Sequence, residues 1–339
     1  MKPHESINGY AERVTAGETL GRAEALEILA TPNKDVFYLL AAANDVRRHF
    51  KGDRVDFCAI VNTKSGACSE DCVFCAQSAH HETGAPVYPL MERGEILDRA
   101  KAAEAMGANK LCFVTSGRGI QDDDELEKVC ASIGAIAQET ALDRCASLGA
   151  LNRRSLEKLK AAGLQSLHHN IETAESFFDH ICTTHTYADR IRTVRLAKEL
   201  GYYVCCGGIF GMGESGGQRV EMAIAIRELN IDSVPMNFLN PIRGTPLESA
   251  ELLQPLEILK TIAMFRFVLP DKDIRVCGGR EKNLRSLQPF MYLAGANCTV
   301  LGNYLTTQGR DYSEDLGMIA DLGLRAAGGG TLARAKGEG

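Results

Sequence analysis

With 339 residues, 45% of them hydrophobic, the chain can bury a large interior, and its length suits one large α/β domain or two small ones. A formal net charge of −6 and the lack of any basic run argue against a partner held by phosphate neutralisation, so no nucleic acid is expected. The N-terminus MKPHESINGYAERV lacks the apolar core of a signal peptide, and no run of about 18 apolar residues occurs, so no membrane association and a cytoplasmic location are expected. Twelve cysteines are many for such a chain; a reducing compartment weakens a disulfide framework and favours metal ligation or catalysis.

In chain order, residues 1–50 read as a helical extension, with DVFYLLAAANDVRRHF its clearest helix. Short β-branched or aromatic runs then predict eight strands, at 55–61, 111–115, 144–148, 165–171, 203–209, 232–238, 273–277 and 298–302. Helical periodicity lies between them near 94–106, 122–139, 153–162, 187–200, 216–228 and 255–268, several stretches ending at a glycine such as Gly107, Gly163 or Gly201. The acidic run QDDDELE at 121–127 reads as a solvated helix start favoured by the helix dipole. Eightfold alternation predicts an α/β fold, a (β/α)8 TIM-type barrel over 51–323 with its site on the loops at the C-terminal strand ends, the rival being a doubly wound open sheet. The Gly-rich tail 324–339 reads as disordered.

Directly after the first strand, SGACSEDCVFCAQSAHH spaces Cys68, Cys72 and Cys75 as C-x3-C-x2-C. Zinc would want a fourth ligand, which His80 or His81 could supply. A cubane iron–sulfur cluster on three thiolates instead leaves one iron open to a small molecule. Cysteine also recurs on the predicted strands: Cys58, Cys112, Cys145, Cys205, Cys277 and Cys298. Each alone reads as a small buried hydrophobe, whereas six together suggest a second thiolate-lined site inside the barrel. Arg275 and Cys277 should share a face, only one of Cys205 and Cys206 can point inward, Cys130 reads as packing, and Cys182 has no assignment. His80, His81, His168, His169 and His185 read as surface or supporting groups.

The three-cysteine spacing resembles that of the radical S-adenosylmethionine (AdoMet) enzymes. TKSGACSEDCVFCAQS, NIETA with TTHTYADR, GGIFGMGES, SVPMNFLNPIRGTPL, GGRE, and GAN followed by YLTT, in that order over about residues 55–310, narrow the resemblance to the biotin synthase family. The resemblance implies a 4Fe-4S cluster on Cys68, Cys72 and Cys75 with AdoMet on its open iron. It places Phe74 beside the adenine, Glu172 on the AdoMet ribose, Arg190 on its carboxylate and the backbone at Ile209 along the adenine. An auxiliary iron–sulfur cluster, 2Fe-2S in the usual family, falls to Cys112, Cys145, Cys205 and Arg275. Asn170 and Asn237 fall near the ureido ring of dethiobiotin, and Thr306 and Thr307 near its carboxylate tail.

What the resemblance implies for activity is sulfur insertion into dethiobiotin by AdoMet-derived radicals, with sulfide from the auxiliary cluster, a reducing partner of flavodoxin or ferredoxin type, and a homodimer. The chain departs from the familiar pattern at His168, where asparagine is usual, at Cys58 and Cys298, where serines are usual, and at Cys277, where a small residue is usual. These added thiols raise the expectation of an auxiliary cluster with four irons, or with a cysteine in place of the arginine ligand, Cys277 leading. Arg275 could alternatively hydrogen-bond cluster sulfides. The competing readings are another barrel-type radical AdoMet enzyme and a zinc-stabilised or cluster-sensing regulatory protein.

Overall fold

Three helices precede the first strand: α1 (Pro3–Thr15), α2 (Arg22–Leu29) and α3 (Val36–Lys51). The computed structural model describes residues 3–120 and 122–328. From Arg54 onward strands and helices alternate. β1 (Arg54–Lys64), α4 (Arg93–Ala105), β2 (Lys110–Thr115), α5 (Asp123–Glu139), β3 (Asp143–Ser147), α6 (Arg153–Ala161) and β4 (Ser166–His168) come first. They are followed by α7 (Glu175–Phe178), α8 (Tyr187–Glu199), β5 (Tyr203–Cys205), β6 (Gly208–Phe210), α9 (Gly216–Glu228), β7 (Ser233–Phe238) and α10 (Pro255–Val268). β8 (Asp273–Val276), α11 (Arg280–Leu284), α12 (Phe290–Leu293), β9 (Cys298–Val300), α13 (Tyr312–Asp321) and β10 (Arg325–Ala326) complete the chain.

All barrel pairings are parallel, and β9 pairs back to β1 through Asp56↔Cys298, Phe57↔Thr299 and Cys58↔Val300, so the sheet closes. Counting β5 and β6 as one interrupted stave gives the eight-stranded barrel; the doubly wound alternative is excluded by that closure. The helical extension is not a separate body: α3 and α2 pack on α10, α2 also on α9, and their apolar residues join those of the barrel in one core.

Helix starts are fixed locally. Asn152, Thr186 and Ser215 cap α6, α8 and α9 by accepting from the backbone N–H three residues on, and Asp122 caps α5. The acidic run therefore begins a helix as expected, and Glu125 accepts from Lys64 Nζ at 2.9 Å, tying α5 to the end of β1; Gln121 lies outside the described residues. No helix among the described residues is long and apolar enough to cross a membrane.

Two of the expected strands are broken or cut short by more than two residues. The fifth, expected over 203–209, splits because Pro235 on the neighbouring β7 has no N–H to give, so the ladder lapses between Cys205↔Ser233 and Gly208↔Met236. Gly207 fills the gap, where a Cβ would lie 2.0 Å from the Pro235 carbonyl oxygen, and its own carbonyl accepts from Ile171 and Glu172. The fourth, expected over 165–171, ends at His168; Glu172 turns out with φ +68° and bridges to Gly208. Of the tail from residue 324, Arg325 and Ala326 pair in parallel with Arg54 and Val55, and residues 329–339 lie outside the described residues.

Candidate active site

One cavity of about 710 Å³ opens at the C-terminal ends of the strands and reaches down into the barrel. Its mouth is the loop after β1. Gly66 (φ +75°) and Ala67 (φ +48°) reverse the chain there, and a Cβ on Gly66 would lie 2.6 Å from Val87. Gln77 Oε1 then accepts from Ser65 Oγ at 3.0 Å and from Gly66 N at 3.2 Å. Backbone bonds from Cys68 N to Gln77 O, from Ala79 N to Cys68 O and from Cys75 N to Cys72 O cinch the turn, so Cys68, Cys72 and Cys75 all face the cavity, with Phe74 beside them.

Zinc with a following histidine has no support in this geometry. His80 is exposed with Nε2 3.1 Å from Ser69 O, His81 Nε2 is 3.1 Å from Cys72 O, and neither lines the cavity. Three thiols on one loop, joined by neither of the histidines that follow them, suit a cluster that keeps one iron open.

Beside that loop, the buried Glu172 and the half-buried Arg190 pair at 3.2 Å. Burial raises the Glu172 carboxyl above its ordinary range, with Arg190 opposing. Arg190 Nη1 donates to Asn170 O at 3.1 Å, while its Nε is buried and without a hydrogen-bond partner among the described residues, a donor aimed at an absent acceptor. Ile209 N donates to Glu172 O, so β6 presents its backbone at the same wall.

Deeper down, the strand register assembles the thiols. Cys112 and Cys145 are direct cross-strand neighbours, and Cys205, its Sγ 3.6 Å from Ser166 Oγ, lines the same cavity. Cys58 and Cys277 join them on the cavity wall. Burial pushes the Cys277 thiol up to about 12, with Arg275 opposing, and it raises Cys58 also. Such thiols stay neutral until a cation takes their protons.

Arg275 is 4% exposed; its Nη1 donates to Thr299 O at 3.4 Å and its Nη2 has no partner among the described residues. An orphaned guanidinium donor facing five thiols fits an anionic, sulfide-bearing group. Cys298 is the exception among the expected thiols. Alternation gives it the inward face, but its register opposite Asp56 places it one layer lower, with Asp56 and Asp273, and it does not line the cavity.

Asn170 Nδ2 donates to Glu172 at 3.3 Å and its Oδ1 accepts from Gly207 N; Asn237 is braced by Gly208 O and Gly278 N. Thr306 and Thr307 reach the cavity from the loop after β9, held by the Tyr304 N to Thr307 O bond. His168 faces the thiols, its imidazole lowered to about 4 by burial and then by Arg275.

Sequence reading missed two features. Lys110 is buried at the cavity floor, its Nζ 4.2 Å over the Tyr203 ring, and its place two residues before Cys112 was the available signal for the shared inward face. Cys182 stands against the cluster loop, its Sγ 3.8 Å from that of Cys72, a contact between residues 110 apart with no local pattern to reveal it. All twelve cysteines are free.

Residues 63–226 match the radical SAM superfamily and residues 235–325 the biotin and thiamin synthesis associated domain. The chain is 49% identical over 325 residues to the biotin synthase of Geobacter metallireducens, covering 96% of this chain and 99% of that one. It is 53% identical over 316 residues to the biotin synthase of Geobacter sulfurreducens, covering 93% and 95%. Among solved structures, methylornithine synthase superposes with a TM-score of 0.84 at 20% identity over 97% of this chain and 99% of that one. The FeFe-hydrogenase maturase HydG from Carboxydothermus hydrogenoformans gives 0.81 at 19% over 98% and 81%. At such identities the structural likeness concerns the fold. The near-full-length identity to named relatives is what decides: the chain belongs to the biotin synthase family of radical AdoMet enzymes.

Proposed function

We propose that the chain converts dethiobiotin to biotin by AdoMet-dependent radical sulfur insertion, with sulfide drawn from an auxiliary cluster in the barrel. The observation that carries this reading is the single cavity that brings the three-cysteine loop, the Glu172–Arg190 wall and five deeper thiols together. Sulfur must join two saturated carbons that bear no acidic proton, so a general base has nothing to remove. When bound, the 4Fe-4S cluster and AdoMet supply hydrogen-atom abstraction from unactivated carbon, and the auxiliary cluster supplies the sulfur.

The side chains bind and orient. Arg190 offers its buried Nε to the AdoMet carboxylate, and Glu172 accepts from the ribose hydroxyls. Asn170 and Asn237, each locked by backbone contacts, keep spare donor and acceptor capacity for the ureido ring. Thr306 and Thr307 hold the carboxylate tail. Cys68, Cys72 and Cys75 ligate the first cluster, and Cys112, Cys145 and Cys205 the auxiliary one, with Arg275 donating to it or ligating it. Cys277 stands as its additional thiol ligand and Cys58 as a further thiol at the same wall, consistent with four irons where two are usual. The electron donor in this reading is a flavodoxin- or ferredoxin-type protein and the assembly a homodimer. Anaerobic incubation with AdoMet, reductant and dethiobiotin is expected to yield biotin together with 5′-deoxyadenosine and methionine; 5′-deoxyadenosine without biotin would point to a different small-molecule substrate on the same barrel.

A further inference from the structure

Cys182 and His185 lie outside every role assigned above, on the segment between α7 and α8, yet they contact the cluster loop. The Val73 N to Ile181 O bond holds the two segments together. Cys182 Sγ is 3.8 Å from Cys72 Sγ, and a ring nitrogen of His185 lies within 4.8 Å of both sulfurs. With Zn–S bonds of about 2.3 Å, the two sulfurs of one tetrahedral zinc lie about 3.8 Å apart, the spacing found here. Thiolates on two different irons of a cubane diverge instead, so Cys182 is placed to share an ion with Cys72 rather than to extend a cluster.

The histidine is oriented for the same task. His185 Nδ1 lies 2.5 Å from Glu70 Oε2 and 3.2 Å from Cys182 Sγ, and Nε2 lies 3.8 Å from the same sulfur; with the Nδ1 proton given to Glu70, the ring lone pair is on Nε2. A carboxylate on the far ring nitrogen is the usual support of a metal-ligating imidazole. Glu70 is itself fixed by Thr184 Oγ1 at 2.7 Å, and Asp71 Oδ1, 3.2 Å from Cys182 Sγ, is held by the backbone N–H groups of Thr183 and Thr184.

We propose that Cys72, Cys182 and His185 form a binding site for one divalent ion of the zinc class in the cluster-free chain, with water in the fourth position. Binding releases the two thiol protons and involves no redox change. Because Cys72 also belongs to the cluster motif, ion and cluster occupy the chain in alternation: zinc holds the loop closed against the α7–α8 segment, and cluster assembly must displace it.

The test uses the full chain, stripped of iron and sulfide under anaerobic conditions and given one equivalent of Zn²⁺. Zinc K-edge absorption is expected to show two sulfurs and one imidazole nitrogen. Competition against a chromophoric chelator is expected to show binding weakened at least about 100-fold in both Cys182→Val and His185→Gln, beyond the effect of losing a supporting group. Uptake of iron and sulfide by Cys182→Val at the wild-type level confirms that the variant folds, and His185→Gln provides the second, independent readout. Three or four sulfurs without imidazole would place the ion on other thiols and overturn the proposal, as would wild-type affinity in either variant. Neither failure touches the cluster reading, which does not use Cys182.

Discussion

Arg190 Nη1 lies 3.2 Å from Glu172 Oε1, so two groups read as holding opposite ends of one ligand hold each other in its absence. If AdoMet binds here as proposed, it exchanges partners instead of burying new charge, and the orphaned Arg190 Nε is the donor available to its carboxylate. Glu172→Gln keeps the shape and removes the charge-assisted acceptor, a change of about 1.5–3 kcal/mol or roughly 10–150-fold in AdoMet Kd. Anaerobic calorimetry on cluster-loaded protein measures this; wild-type affinity in the variant would remove Glu172 from the site. Arg190→Lys, which keeps charge and loses the planar fork, should also weaken binding.

A buried ion pair braces the other rim. Arg280 Nη2 lies 2.5 Å from Asp315 Oδ2, with both side chains almost wholly enclosed, and Arg280 also donates to Tyr304 Oη at 3.2 Å on the loop that carries Thr306 and Thr307. Among the described residues, Asp315→Asn leaves the buried Arg280 with only the part-exposed Glu281, 3.5 Å from its Nε, as a carboxylate partner, a loss of up to about 3 kcal/mol. Urea unfolding of the cluster-free chain should show that loss. Turnover should show a raised KM for dethiobiotin with little change in kcat, because the threonine loop loses its anchor while the deeper thiols keep theirs.

His168 sets an acid limit on stability. Its imidazole is lowered from 6.5 to about 4 by burial and by the charges of Arg275 and Lys110, while Asn170 opposes. Between those values the unfolded chain takes up a proton that the folded chain refuses, so stability is full above pH 6.5 and falls as the pH drops toward 4. The fall attributable to this residue is about 3 kcal/mol at most. His168→Asn should flatten the pH dependence of the cluster-free chain between pH 6.5 and 4; chemical denaturation at intervals across that range reads it, and parallel curves for the two proteins would dismiss the effect.

The barrel and the cluster loop were legible because each is written locally, the first as alternating strand and helix patterns and the second as cysteine spacing within eight residues. The inward face of Cys58, Cys112, Cys145, Cys205 and Cys277 also follows from strand alternation. Alternation fixes a face and not a depth, which is why Cys298 was grouped with these thiols although register places it beside Asp56 and Asp273. The break at Cys206–Gly207 was hidden for a related reason: Pro235, the residue that causes it, sits on another strand. Cys182 was beyond sequence reasoning altogether, since only the closed barrel brings residue 182 to residue 72.

In the proposed reading, Cys277 is the residue on which the nuclearity of the second cluster turns. It lies two residues beyond Arg275 at the end of β8, faces the same cavity, and shares that wall with Cys58, Cys112 and Cys145, so a cluster ligated by Cys112, Cys145 and Cys205 has a fourth thiol within the same enclosure. Thiolate is the softer ligand and binds iron more strongly than a guanidinium that must first surrender a proton. Iron and sulfide analysis with Mössbauer spectra on anaerobically reconstituted protein should therefore give about four irons at the auxiliary site in wild type. In Cys277→Ala that site should fall to fewer irons, while the signal of the cluster on Cys68, Cys72 and Cys75 is unaltered. Arg275→Lys should leave the iron count unchanged if the guanidinium only donates hydrogen bonds to sulfide. An auxiliary 2Fe-2S spectrum identical in wild type and Cys277→Ala would return the ligand role to Arg275 and make Cys277 a packed thiol.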